Sequence, residues 1–147
     1  MKQVDFYLIS NRVVDAKFKL AWRLANKLQR LEQRSLLLTS DQADCARLDE
    51  ILWSFSDTSF VAHEQIDDGD KQSKVTIADH QNVSAQGLED DYDVLINLAD
   101  TVPAFSHHFT RIAEIVDNDD ASKQAARLRY KNYQSEGFEL KTHDIAL

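Results

Sequence analysis

The 147-residue sequence has one cysteine, one proline and three glycines. A lone Cys45 excludes an internal disulfide and any cysteine-based zinc cluster. With glycine only at 69, 87 and 137, neither GxGxxG nor GxxxxGKS/T can be written, so neither familiar phosphate-cradling turn is present. No GxSxG nucleophile elbow occurs. No segment approaches roughly 18 consecutive apolar residues, and the opening MKQVDFYLISNR holds only a short apolar run, too brief for a signal peptide core. The expectation is a cytoplasmic protein without a membrane partner.

Other candidate chemistry is also thin. His107 and His108 are adjacent, which on a helix splays them about 100° apart and prevents shared metal ligation. Neither Asp67-Asp68-Gly69-Asp70 nor Asp117-Asn118-Asp119-Asp120 has the ligand spacing of a calcium loop. The first reads as a turn, and the second as acids favoring a helix N-terminus. Cys45 shares a helical face with Leu48 and Leu52, as a small buried residue would. No catalytic residue, cofactor site or metal site is expected.

What is present is a 43% hydrophobic chain of a length that suits one domain over residues 1–147. Its net charge of −8 is unevenly spread. Residues 1–34 carry eight Lys/Arg against three acids, 35–122 four against nineteen, and 123–147 five against three. An acidic middle opposes duplex DNA, which needs a broad positive footprint, so anions must be met locally.

Apolar runs predict strands at Asp5 to Ile9, Leu36 to Leu38, Ser59 to His63, Val75 to Ala78, Val94 to Ala99, Ile112 to Val116 and Phe138 to Thr142. Helical spacing of Phe18, Ala21, Trp22, Ala25, Leu28 and Leu31 predicts an amphipathic helix over Asp15 to Gln33 with a basic outer face. Further helices are predicted at Asp41 to Trp53, after Pro103 around Phe105 and Phe109, and from Asp119 to a stop at Gly137. Strands alternating with helices give an α/β layered fold: a mostly parallel central sheet flanked by helices, without a nucleotide-binding glycine motif.

Two stretches read as partner sites. On a 100° wheel with Ala121 at zero, Lys123, Arg127, Tyr130 and Lys131 fall between about 180° and 280°; Ala121, Ala125, Ala126, Leu128 and Tyr133 take the packed arc. A solvated basic face is the bland account. Tyr130 set among the cations instead suits a ligand carrying both a carboxylate and an apolar group. Arg129, near 80°, falls in the packed arc, where a structural role paired to an acid is expected. Trp53 lies about 140° from Leu48 and points away from its helix's apolar face, with Phe55 and Phe60 close behind. These aromatics either extend the core or anchor an interface.

DFYLI, LDEILWSFSDTSFVAH at 48–63, VLINLA at 94–99, FTRIAEIVD at 109–117 and KQAARLRYKNYQSEGFELKT at 123–142 together resemble the chi subunit family of bacterial DNA polymerase III over nearly the whole chain. The resemblance implies a non-catalytic clamp-loader accessory protein with a Rossmann-like fold that binds no nucleotide. One surface would meet the psi subunit, at Trp53 and Phe60. Another would meet the acidic C-terminal tail of single-stranded-DNA-binding protein, at Val116, Lys123, Arg127, Tyr130 and Thr142. A helicase-like repair protein is an implied competitor at the psi surface, and DNA would be reached only indirectly. The chain departs from the family pattern at Ala62, where proline is usual, and in DNDD after Val116, where a proline and an aromatic are usual. The competing class is a nucleotide-dependent enzyme on the same fold. A third reading is single-stranded nucleic acid held by the basic first helix.

Overall fold

The computed structural model describes residues 2–54, 63–65, 75–79, 92–103, 106 and 109–147, with the backbone alone described at 53, 54 and 63–65. In chain order the elements are β1 (Gln3–Ile9), α1 (Ala16–Arg30), β2 (Ser35–Thr39), α2 (Gln42–Ser54), β3 (His63–Gln65), β4 (Val75–Asp79), β5 (Val94–Asn97), β6 (Arg111–Val116), α3 (Asp120–Ser135) and β7 (Glu139–Ile145). The strands form one sheet in the order β3-β4-β2-β5-β6-β1-β7, and every pairing is parallel.

The apolar runs form strands because both sheet faces are covered. In β2, β4 and β5 every residue is buried. Alternate side chains feed two cores. Leu37, Ile77, Ile96 and Ile115 lie beneath α1 and α2 with Phe18, Ala21, Leu48 and Leu52. Phe6, Leu36, Leu38, Leu95, Ile112 and Val116 lie on the opposite face with Ala126 and Tyr133 of α3. Cys45 is buried in the first core, as its helical face required.

Helix ends follow local chemistry. Asp119 caps α3: its side chain accepts a hydrogen bond from the Ser122 backbone N–H at 3.0 Å. Gly137 takes a positive φ of 88°, and backbone bonds from Gly137 N to Gln134 O (3.2 Å) and from Phe138 N to Tyr133 O (3.1 Å) close a Schellman turn. Phe138 then meets Tyr133 edge to face, with centroids 5.3 Å apart. The last turn of α1 ends the same way through Glu32, φ 61°.

Several expectations change. Leu128, assigned to the packed arc, is 70% exposed, Ala121 is exposed, and Ala125 is half-buried. The reason is that α3 lies toward one edge of the sheet and buries only Ala126, Arg129 and Tyr133. Leu31 is 57% exposed because α1 stops at Arg30 and the chain turns away. β3 begins at His63, so its overlap with the expected strand is one residue, and 59–62 lie outside the described residues. β7 runs on to Ile145, held by its ladder with β1. Of the expected helix after Pro103, Ser106 and Phe109 are described and both are buried; Phe105, His107 and His108 lie outside the described residues, as do Asp67, Asp68, Gly69 and Asp70.

The loop after β1, where dinucleotide-binding folds of this architecture carry their phosphate cradle, instead fastens the end of β7. Ser10 N donates to Ile145 O at 2.8 Å, and Asn11 exchanges two hydrogen bonds with the Leu147 backbone at 2.8 and 3.0 Å.

The hydrogen bonds from Ser122 hold the Asp119 carboxyl below its usual range. A depressed folded pKa contributes stability above the unfolded value of ~3.9 that is lost as pH falls through the folded one. Asp119→Ala should therefore lower unfolding free energy in urea titrations by about 1 kcal/mol near neutral pH. The gap to the parent should shrink below pH ~3.9, and Asp119→Asn should retain most of the stability.

Candidate functional site

The ladder of β6, β1 and β7 sets side chains in rows beneath α3. Phe6 pairs with Glu114 on one side and Thr142 on the other, and Leu8 pairs with Val116. Paired residues of neighboring strands share a face, so one row places a carboxylate, an aromatic ring and a hydroxyl under the same helix.

Glu114 is fully buried and accepts three hydrogen bonds: from Arg129 Nε at 2.9 Å, from Asn97 Nδ2 at 2.9 Å and from the Tyr133 hydroxyl at 2.6 Å. Arg129, 4% exposed, also donates through Nη1 to Asp100 O at 2.9 Å, and Asn97 Oδ1 accepts from Ala99 N at 3.1 Å. The structural role expected for Arg129 is observed. Burial pushes the Glu114 carboxyl up, and the Arg129 charge with the three hydrogen bonds opposes that. Tyr133 is pushed up by burial and by the adjacent Glu114. These contacts lock the rotation of α3 about its axis.

That rotation opens a pocket of about 250 Å³ between α3 and the ends of β1 and β6. Val116, Lys123, Arg127, Tyr130 and Thr142, the set that the family resemblance implies, all line it. Tyr130 rests against Phe6, with ring centroids 5.5 Å apart and planes at 48°. Lys123 and Arg127 are exposed on the rim, and neither forms an ion pair with a described carboxylate. Lys131 is exposed one turn beyond Arg127 and does not line the pocket. The result is an apolar floor with two available cations along one side, suited to an anionic group joined to an apolar one.

The sequence reading missed the rest of the wall: Phe6, Leu8, Ile9, Asp117 and Ala126. Period-two alternation in DFYLI marks Phe6 and Leu8 as sharing a face, and helical spacing puts Ala126 one turn from Lys123, but choosing the face required the sheet order. Asp117, the residue after β6, adds a carboxylate to the lining beside the cations Lys123 and Arg127. Glu114 was also missed, although a lone acid within the apolar run RIAEIV was a readable signal.

The other expected surface is less visible. Trp53 lies in the last turn of α2 with its side chain outside the described part, and Phe60 lies outside the described residues. Among the described residues no group of three His, Cys, Asp or Glu side chains is placed to hold a metal ion. No described helix is long and apolar enough to cross a membrane.

The family model described as DNA polymerase III chi subunit, HolC, matches residues 1–141. The chain belongs to the chi subunit family. DNA polymerase III subunit chi of Pseudomonas aeruginosa is 33% identical over 145 residues, covering 99% of this chain and 98% of that protein. The chi subunit of Escherichia coli is 34% identical over 147 residues, with 97% of each chain covered. That of Haemophilus influenzae is 31% identical over 144 residues, with 98% of each covered. Among solved structures, the C-terminal domain of the DEAD-box protein Dbp5 superposes with a TM-score of 0.59 at 20% identity, covering 98% of this chain and 90% of that one. This second likeness concerns the α/β fold alone.

Removing one partner of a buried pair strands the other's charge. Arg129→Ala should lower unfolding free energy by ~3–5 kcal/mol in urea titration. Glu114→Leu combined with Arg129→Met should cost less than the two single changes added together; strict additivity would show that the pair is not coupled.

Proposed function

We propose that this chi-family chain is a non-catalytic accessory subunit of the DNA polymerase III clamp loader, working in the cytoplasm. In this reading it bridges the psi subunit and the acidic C-terminal tail of single-stranded-DNA-binding protein. The observation that carries the tail half is the pocket beneath α3, where Val116, Lys123, Arg127, Tyr130 and Thr142 meet. Arg127 and Lys123 take the terminal carboxylate and neighboring acids of the tail. Val116, Phe6 and the Tyr130 ring pack on its last apolar side chain.

Charge-assisted hydrogen bonds contribute about 1.5–3 kcal/mol each before solvent screening, so one such site supports micromolar-scale affinity. Several tails on one coated strand strengthen attachment by avidity. With the chain at −8 overall, attraction is short-ranged and falls with salt. The psi half rests on the family resemblance at Trp53 and Phe60, and a helicase-like repair protein would compete for that surface.

In a fluorescence-polarization titration with a tail peptide, Arg127→Ala should weaken binding about tenfold or more, the loss of one charge-assisted contact. Unchanged affinity would remove Arg127 from the site. Trp53→Ala should leave the peptide titration as it was and abolish co-purification with the psi subunit; retained psi would count against that surface.

A further inference from the structure

On the face of the sheet opposite α3, α1 buries Ala21, Ala25 and Leu28 and turns a different side outward. There Trp22, Arg23, Asn26, Lys27, Arg30 and Leu31 line an open depression of about 330 Å³. Among the described residues no carboxylate is paired with Arg23, Lys27 or Arg30, whereas Lys17 is paired with Asp44 and Arg47 with Asp15 and Glu50. Lys27 and Arg30 sit in the last turn of α1, where the helix dipole accounts for cations. That does not account for Arg23 one turn earlier. Trp22 packs one side of its ring on the first core, with a buried Nε1–H that has no hydrogen-bond partner among the described residues, and leaves the rest in the depression; Leu31, 57% exposed, continues the apolar shelf beside it.

We infer that this outer face of α1 is a contact site for single-stranded nucleic acid. Arg23, Lys27 and Arg30 follow the phosphates, and Trp22 with Leu31 receives a base. Cations interleaved with an aromatic are the pattern that tracks a single strand, because every base has a face to stack. The strip from Trp22 to Arg30 is about 12 Å long, and the chain carries −8 overall, so a duplex, which needs a broad positive footprint, finds too little surface. A purely acidic segment would use the cations and leave the indole and Leu31 uncovered. The inference goes beyond the proposed function and replaces the expectation that DNA is reached only indirectly. It is also independent of the α3 pocket, which lies on the other side of the sheet.

The test is fluorescence anisotropy of a labeled oligothymidylate of about 20 nucleotides with the full chain. Binding should be saturable at low salt and should weaken with a log-log salt slope near −2, three phosphate contacts at ~0.7 each. The combined Arg23→Ala, Lys27→Ala, Arg30→Ala variant should lose at least tenfold. These side chains are exposed, so a melting curve matching the parent's should show that the fold is kept. Trp22→Ala should weaken binding severalfold, and Trp22→Phe, which keeps a stacking ring, should restore most of it. Arg127→Ala should bind the oligonucleotide like the parent while losing the tail peptide. The inference is overturned by absent saturable binding, by unchanged binding in the triple variant, or by competition from a duplex or from oligoglutamate equal to that of the unlabeled single strand.

Discussion

The contact between Glu114 and Arg129 governs the geometry on the α3 side of the sheet. A carboxylate with no solvent exposure sits in the middle of β6, and an ion so placed is tolerated only when its lone pairs are answered. Arg129 and Tyr133 from α3 and Asn97 from β5 answer them together. Because two of those donors are one turn apart on the same helix, α3 can neither rotate nor slide without leaving an acceptor unfilled. Apolar packing alone would tolerate small shifts of the helix; a directional network does not. The positions of Lys123, Arg127 and Tyr130 over Phe6 and Val116 follow from that constraint.

The frame of the fold was legible where composition is unambiguous. SLLLT and VLIN read as two-sided strands and are buried throughout, and the glycine at 137 marks the end of α3 because it takes the positive φ of a Schellman turn at no steric cost. Spacing on one helix also separated Arg129 from Lys123 and Arg127, since 100° per residue is a local property. What spacing could not supply was how wide an arc α3 presents to its neighbors. Leu128 was misplaced because a helix toward the edge of a sheet buries a narrower stripe than one at its center, and the strand order that puts β1 and β7 there is a long-range fact. The same holds for Phe6 and Leu8: their shared face was readable, and its orientation toward α3 was not. Glu114 was overlooked because an acid inside an apolar strand contradicts local propensity, and such contradictions gather where a fold needs a fixed geometry.

The charge segregation in the sequence acquires a spatial meaning. The basic first 34 residues contribute α1, the basic last 25 contribute most of α3 and β7, and the two helices cover opposite faces of one sheet. Two cationic surfaces are thereby held apart by a layer of buried strands. An acidic middle keeps the whole chain negative, so each surface works as a local exception with a reach of about one Debye length, ~8 Å at physiological salt. Partners of opposite charge can be engaged on both sides without competing for one patch.

The pairing of β1 carries a further consequence, for the order in which the molecule can be assembled. Gln3 lies opposite Arg111 on one side and Glu139 on the other, so β1 finds no sheet partner until β6 has been made and is flanked on both sides only once β7 follows. Closing contacts of such sequence separation is slow, and an unpaired apolar strand such as DFYLI is exposed to misassociation while it waits. The α3 pocket, walled by residues from β1, β6 and β7, is therefore among the last features to form during synthesis. A chain truncated before Glu139 would lack β7, the edge that Asn11 and Ser10 fasten, and with it one wall of the pocket.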